Sequence, residues 1–146
     1  IIPSPNFSSR PEASPASLYK GKLLGTFQQL MIDEDQRQYL LDIRETLSVY
    51  RDEKIIHPGW ILRMANKALS TNVKLGPWIH VGSKIQNYNV AHCGDTLSAQ
   101  TSISDSYEHK GHLFVEMDVK IVNSIKCFTH IIHTAIYRPR PVNSND

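Results

Sequence analysis

The stretch His57–Leu69, HPGWILRMANKAL, constrains the fold of this chain more than any other. Pro58 opens it, and proline in a first helical turn loses nothing, because its missing N–H has no intrahelical partner there. Trp60, Ile61, Met64, Ala65 and Ala68 then recur at three- and four-residue intervals, and Leu62 and Leu69 widen the same stripe. Arg63, Asn66 and Lys67 take the opposite side. The spacing predicts about three turns of helix with one face to bury, far too short to cross a membrane.

The rest of the chain indicates what that face packs on. After Ser70–Gly76, read as a loop, Gly76-Pro77 marks a boundary and the period changes. WIHVGSKIQNYN (78–89) reads as a strand with Ile79, Val81 and Ile85 on one side, and HCGD (92–95) as a turn with Gly94 at positive φ. Leu97, Ala99, Thr101 and Ile103 then face one way. A hairpin turn at EHKG, with Gly111, leads to Leu113, Val115, Met117, Val119 and Ile121 on the inward parity of the next strand. IKCFTHIIHTAIYR closes the series before Pro139 and Pro141.

Upstream, KGKLLGTFQQLMI (20–32) reads as a strand. Asp33 begins a helix, with acids in its first turn and Tyr39, Leu40, Ile43 and Leu47 at helical spacing. SVYRDEKI is a polar connection into the central helix. The plan is strand, helix, central helix and four consecutive antiparallel strands: an α+β roll whose single sheet is covered on one face by one helix. Its long edges call for pairing, so a homodimer or higher homo-oligomer with a continuous sheet is expected.

With 146 residues and a formal charge of +2, the chain suits one domain and shows no nucleic-acid footprint. Residues 1–19, rich in Pro and Ser, read as a flexible or extended arm, 20–140 as the domain, and 141–146 as a tail. Cys93 and Cys127 fit no metal or redox motif, no apolar run is long enough for a membrane span, and the opening does not resemble a signal peptide, so a cytoplasmic protein is expected. His130 and His133, three apart on a strand, lie on opposite faces, and His109 and His112 flank a hairpin tip; no metal site is expected.

These segments, HPGW opening a helix, then GPWIHV, GDTL and YEHKGHLFVEMDV, resemble the hotdog fold over roughly residues 20–138, and within it the MaoC-like hydratases and dehydratases. The resemblance implies a long central helix wrapped by a curved antiparallel sheet, and a homodimer binding an acyl thioester of coenzyme A or acyl carrier protein. The coenzyme A thioester is then the substrate, with no separate cofactor. In that branch an Asp and a His just before the central helix activate a water, and a backbone N–H at the helix start polarises the thioester carbonyl.

Matched to that pattern, Glu45 stands for the Asp and Tyr50 for the His. A phenol titrates near about 10, unlike the imidazole it replaces. His57 matches a His common at the helix start, and Gly59 or Trp60 would supply the N–H. Trp60, Trp78 and His80 are expected along the pocket or the interface, although core packing alone explains both tryptophans. Where hydroxyacyl-carrier-protein dehydratases carry a catalytic Glu, this helix has Met64; the acids nearest its start, of use to a thioesterase, are Asp52 and Glu53. The resemblance therefore implies an enoyl hydratase or hydroxyacyl dehydratase, with a thioesterase or a non-catalytic acyl-thioester-binding or assembly subunit as alternatives.

Overall fold

In the computed structural model, residues 2, 3 and 6–142 are described. Five strands, β1 (Phe27–Leu30), β2 (Ile79–Asn87), β3 (Thr96–His109), β4 (His112–Val122) and β5 (Cys127–Arg138), form one antiparallel sheet in the order β1-β3-β4-β5-β2. Among the described residues three α-helices accompany it: α1 (Asp33–Asp42), the single-turn α2 (Val49–Asp52) and α3 (Pro58–Asn72). No described helix is long and apolar enough to cross a membrane.

α3 lies against β1, β3 and β5 and buries Trp60, Ile61, Met64, Ala65, Ala68 and Leu69, the stripe read from the sequence. Opposite it, Leu97, Ala99 and Ile103 of β3 and Val115, Met117, Val119 and Ile121 of β4 are at most 1% exposed. Each such large aliphatic side chain contributes about 1.5–3 kcal/mol on burial. The β3–β4 turn is the expected one: Lys110 and Gly111 have φ of 51° and 81°, the two-residue geometry that suits the twist of a hairpin. Gly94 has φ 97° in its turn.

Several expectations change. The segment before β1 follows β3 from Gly21 to Leu24, but the ladder breaks at Gly25, whose N–H and C=O both turn to the Asn72 side chain at 2.7 and 2.9 Å. Only Phe27–Leu30 is therefore strand within 20–32. α3 runs three residues beyond Leu69, because Asn72 caps its inner side and anchors Gly25. α1 stops at Asp42, leaving Ile43 and Leu47 40% and 59% exposed rather than in its buried face. The connection after it contains α2. β2 crosses over to pair with β5 instead of β3, so the last four strands are not consecutive neighbours.

The segment read as a flexible or extended arm is docked from Arg10 onward. Lys74 N–H donates to Pro11 C=O, Ala13 N–H donates to Lys74 C=O, and Leu18 is fully buried. Of the expected tail, residues 143–146 lie outside the described residues.

Candidate functional site

His57 is the N-cap of α3. Its Nδ1 accepts the Gly59 N–H at 2.9 Å, and its carbonyl accepts the N–H of Trp60 at 3.0 Å. A ring nitrogen that accepts carries no hydrogen, so the neutral imidazole is protonated at Nε2. That Nε2 faces Oε1 of Glu45 at 3.5 Å, with both side chains largely shielded from solvent. Tyr50 and Tyr39 flank the imidazole, their ring centroids 4.7 and 5.5 Å from its own. Glu45, Tyr50 and His57, singled out from the sequence, are thus brought together at the start of α3.

Gly59 is also here, but its N–H is taken by His57 and that of Trp60 closes the first helical bonds. The backbone donors foreseen for a thioester oxygen are therefore already satisfied. Trp60 is buried, stacked on Tyr39 at 6.4 Å.

Two residues that sequence reasoning passed over complete the site. Gln36, buried on α1, donates from Nε2 to the carbonyls of Ile55 at 2.6 Å and Tyr50 at 3.1 Å, while its Oε1 accepts the His57 N–H at 2.8 Å. It clamps both ends of the loop that positions Tyr50 and His57. Its signal was position: Gln36, Tyr39 and Leu40 form one helical stripe with a polar member. Tyr39 places its hydroxyl so close to Gly59 that a Cβ built there would lie 2.1 Å from Oη. Burial raises the Tyr39 phenol above its ordinary range, against the opposing pull of Arg63, whose guanidinium sits 4.7 Å from the ring centroid. The phenol therefore keeps its proton, and its hydroxyl has no hydrogen-bond partner among the described residues.

A cleft of about 720 Å³ adjoins this cluster, with Glu45 in its wall beside Leu40 and Leu41 of α1. Its size falls in the range of small-molecule sites.

No protein-family model and no curated protein matches the sequence. Solved structures do. The R-hydratase PhaJ1 of Pseudomonas aeruginosa superposes with a TM-score of 0.70 at 14% identity, covering 86% of this chain and 85% of that one. The 3R-hydroxyacyl-ACP dehydratase HadBC of Mycobacterium tuberculosis gives 0.67 at 13%, covering 80% and 95%. A mutant of the fluoroacetyl-CoA-specific thioesterase FlK, solved with fluoroacetate and CoA, gives 0.65 at 11%, covering 80% and 92%. The chain has the hotdog fold.

Within the hotdog, Trp78 and His80 do not join the cluster at His57. Trp78 is half-buried against the core just before β2. His80 stacks on His133 with ring centroids 4.1 Å apart, and His133 reaches Asn66, nine residues or roughly 13 Å along the hotdog helix from His57. Asn66, assigned from the sequence to the solvent side, thus turns toward the sheet. Its Oδ1 accepts from His133 Nε2 at 2.7 Å, so Nδ1 of the neutral ring accepts the Ser83 hydroxyl at 2.7 Å, and Ser83 in turn accepts from His80 Nε2 at 2.8 Å. Burial, and then His80, lower the His133 pKa to about 4. His130 lies on the other face, bonded to Asp118 at 2.9 Å. No three His, Cys, Asp or Glu among the described residues group as metal ligands.

Proposed function

We propose that this hotdog protein binds acyl thioesters and acts as an enoyl hydratase or hydroxyacyl dehydratase of the MaoC-like type. The observation that carries the reading is the facing of Glu45 and His57 at the start of α3, beside an open cleft. The sequence match set Tyr50 where the branch has its His; in space, His57 supplies an imidazole to Glu45 instead. A carboxylate and an imidazole 3.5 Å apart can both reach one water bound beside them. In hydration the base takes a proton from that water, the oxygen bonds to the β-carbon of the enoyl group, and a proton passes to the α-carbon. Dehydration reverses these steps. Tyr39, protonated and with a hydroxyl that has no partner among the described residues, would donate to the thioester oxygen in this reading, the role expected of Gly59.

Water activated by the same pair could instead attack the thioester carbonyl, and the likeness to a CoA-thioester hydrolase supports that second reading. A second copy is proposed to pair along β2. That edge has no strand partner among the described residues and exposes Ile79, Val81 and Ile85.

The experiment follows hydration of crotonyl-CoA by loss of enoyl absorbance, alongside thiol release from several acyl-CoAs. Loss of enoyl absorbance that Glu45→Gln and His57→Ala both abolish supports the hydratase. Thiol release without hydration replaces it by the thioesterase, and saturable binding with neither activity leaves a non-catalytic thioester-binding subunit.

A further inference from the structure

His133 is a fully buried histidine that the hydratase reading leaves unused, and its ring is held at both nitrogens. Asn66 Oδ1 on α3 accepts from Nε2 at 2.7 Å, which leaves the Nδ1 lone pair for the Ser83 hydroxyl at 2.7 Å. A hydroxyl that gives its hydrogen to an imidazole whose far nitrogen is fixed by a third side chain has the arrangement of nucleophile, base and orienting group.

β2 is bent to complete it. Residues three apart on a regular strand point to opposite faces. Here His80 pairs with Ala135 and Gly82 with Thr134, so Val81 is one residue more than β5 can match. That bulge brings His80 to the face of Ser83, and His80 Nε2 donates to Ser83 Oγ at 2.8 Å. Core packing gives no reason for this, since His80 is exposed and Ser83 half-buried. Pairing of a second copy along the β2 edge would use backbone groups, not this hydroxyl.

We propose that Ser83 is a nucleophile, a second reactive centre that takes the acyl group from carboxylic esters of acidic alcohols such as phenols. Ser83 Oγ bonds to the ester carbonyl carbon while its proton passes to His133 Nδ1. The tetrahedral intermediate then collapses, the bond from carbon to the leaving oxygen breaks, and His133 returns the proton to that oxygen. Water repeats the sequence on the acyl-serine, releasing the acid and restoring the hydroxyl. His80 Nε2–H donates to the carbonyl oxygen as it becomes negative, and Asn66 is the positioning residue.

The chemistry of His133 sets the ester class. Burial, and then His80, lower its pKa to about 4, so it is a weak base with a strongly acidic conjugate. Such a base takes the serine proton reluctantly and suits activated acyl groups rather than amides. The titratable group facing His133 is His80; Asn66 of α3, Ser83 of β2 and Met117, its register partner on β4, are its other neighbours. None of this rests on the acyl-thioester reading.

Mixing p-nitrophenyl acetate with the full chain tests it. The wild type is expected to release about one equivalent of nitrophenolate in a burst and to carry an acetyl group on the Ser83 peptide, read by mass spectrometry. Ser83→Ala and His133→Gln should slow the burst about 100-fold. The wild-type rate should hold as pH falls through 6.5, where an ordinary imidazole loses its basicity, because His133 stays neutral down to about 4. Asn66→Asp sets a carboxylate on Nε2, so it should quicken the burst and raise the acid limb by about one pH unit; a merely structural Asn66 would do neither. The wild-type peptide map needs no variant, so misfolding of Ser83→Ala does not spoil the test. Acetyl groups on lysines with none on Ser83, or a burst that Ser83→Ala keeps and His57→Ala loses, overturns the proposal. Crotonyl-CoA hydration, where present, should survive Ser83→Ala, which keeps the two readings separable.

Discussion

Nε2 of His57 lies 3.5 Å from Oε1 of Glu45, while Nδ1 of the same ring caps α3 through the Gly59 N–H. One imidazole thus does two jobs: it ends the helix and faces a carboxylate.

The two jobs can be separated. His57→Ala should cost about 1 kcal/mol in urea unfolding through loss of the cap, whereas His57→Asn, a good N-cap, should stay within about 0.5 kcal/mol of wild type. Both should lower thioester turnover about 100-fold or more, since neither can exchange a proton near neutrality. Full turnover in the Asn variant would reduce His57 to a cap.

Gly59 is held small by Tyr39. A Cβ at position 59 would meet Tyr39 Oη at 2.1 Å and His57 Nδ1 at 3.1 Å. Gly59→Ala should therefore destabilise by about 1–3 kcal/mol. Adding Tyr39→Phe removes the first clash, and thermal melts of the double variant should recover about half of the loss. Equal melting of the single and double variants would show that the hydroxyl is not the obstacle.

Gln36 holds the loop between α2 and α3 by three hydrogen bonds. Gln36→Leu keeps the size but leaves two carbonyls and the His57 N–H without a partner, at a cost of about 2–4 kcal/mol. Amide exchange over residues 50–57 should quicken more than in β4. Unchanged exchange in that loop would deny Gln36 the positioning role.

Stability should fall in acid through His133. Its folded pKa of about 4 lies below the unfolded value of 6.5, so the unfolded chain takes up the proton first. The contribution is whole above pH 6.5, declines as pH falls, and is lost by about pH 4, an effect of about 3 kcal/mol. Urea unfolding across that window should show the slope in wild type, a shallower one in His80→Ala, and its loss in His133→Gln. The groups facing His133 are His80, Ser83 and Asn66.

The periodic parts of the fold were legible. The apolar stripe of α3, the alternation in β3 and β4 and the Lys110-Gly111 turn report purely local rules, and each is found where those rules place it. Pairing was less so. That β2 lies beside β5 depends on a crossover between residues distant in sequence, which alternation within a strand does not encode. The late start of β1 likewise depends on Asn72 capturing both polar groups of Gly25, 47 residues away. The docking of residues 10–18 was hidden by their composition, since Pro and Ser give no period, although Leu18 and Ala13 are buried.

The site divided in the same way. By itself the sequence determined the helix start at Pro58, the glycine behind it, and the presence of Glu45, Tyr50 and His57 as candidates, because a helix terminus is written in consecutive residues. Only the tertiary structure decided which of them face each other. It set His57 rather than Tyr50 against Glu45, filled the Gly59 N–H, brought Tyr39 and Gln36 in from α1, and separated Trp78 and His80 from the group. Those relations are contacts between elements, fixed by how α1 packs against the start of α3, and local periodicity carries no record of that packing.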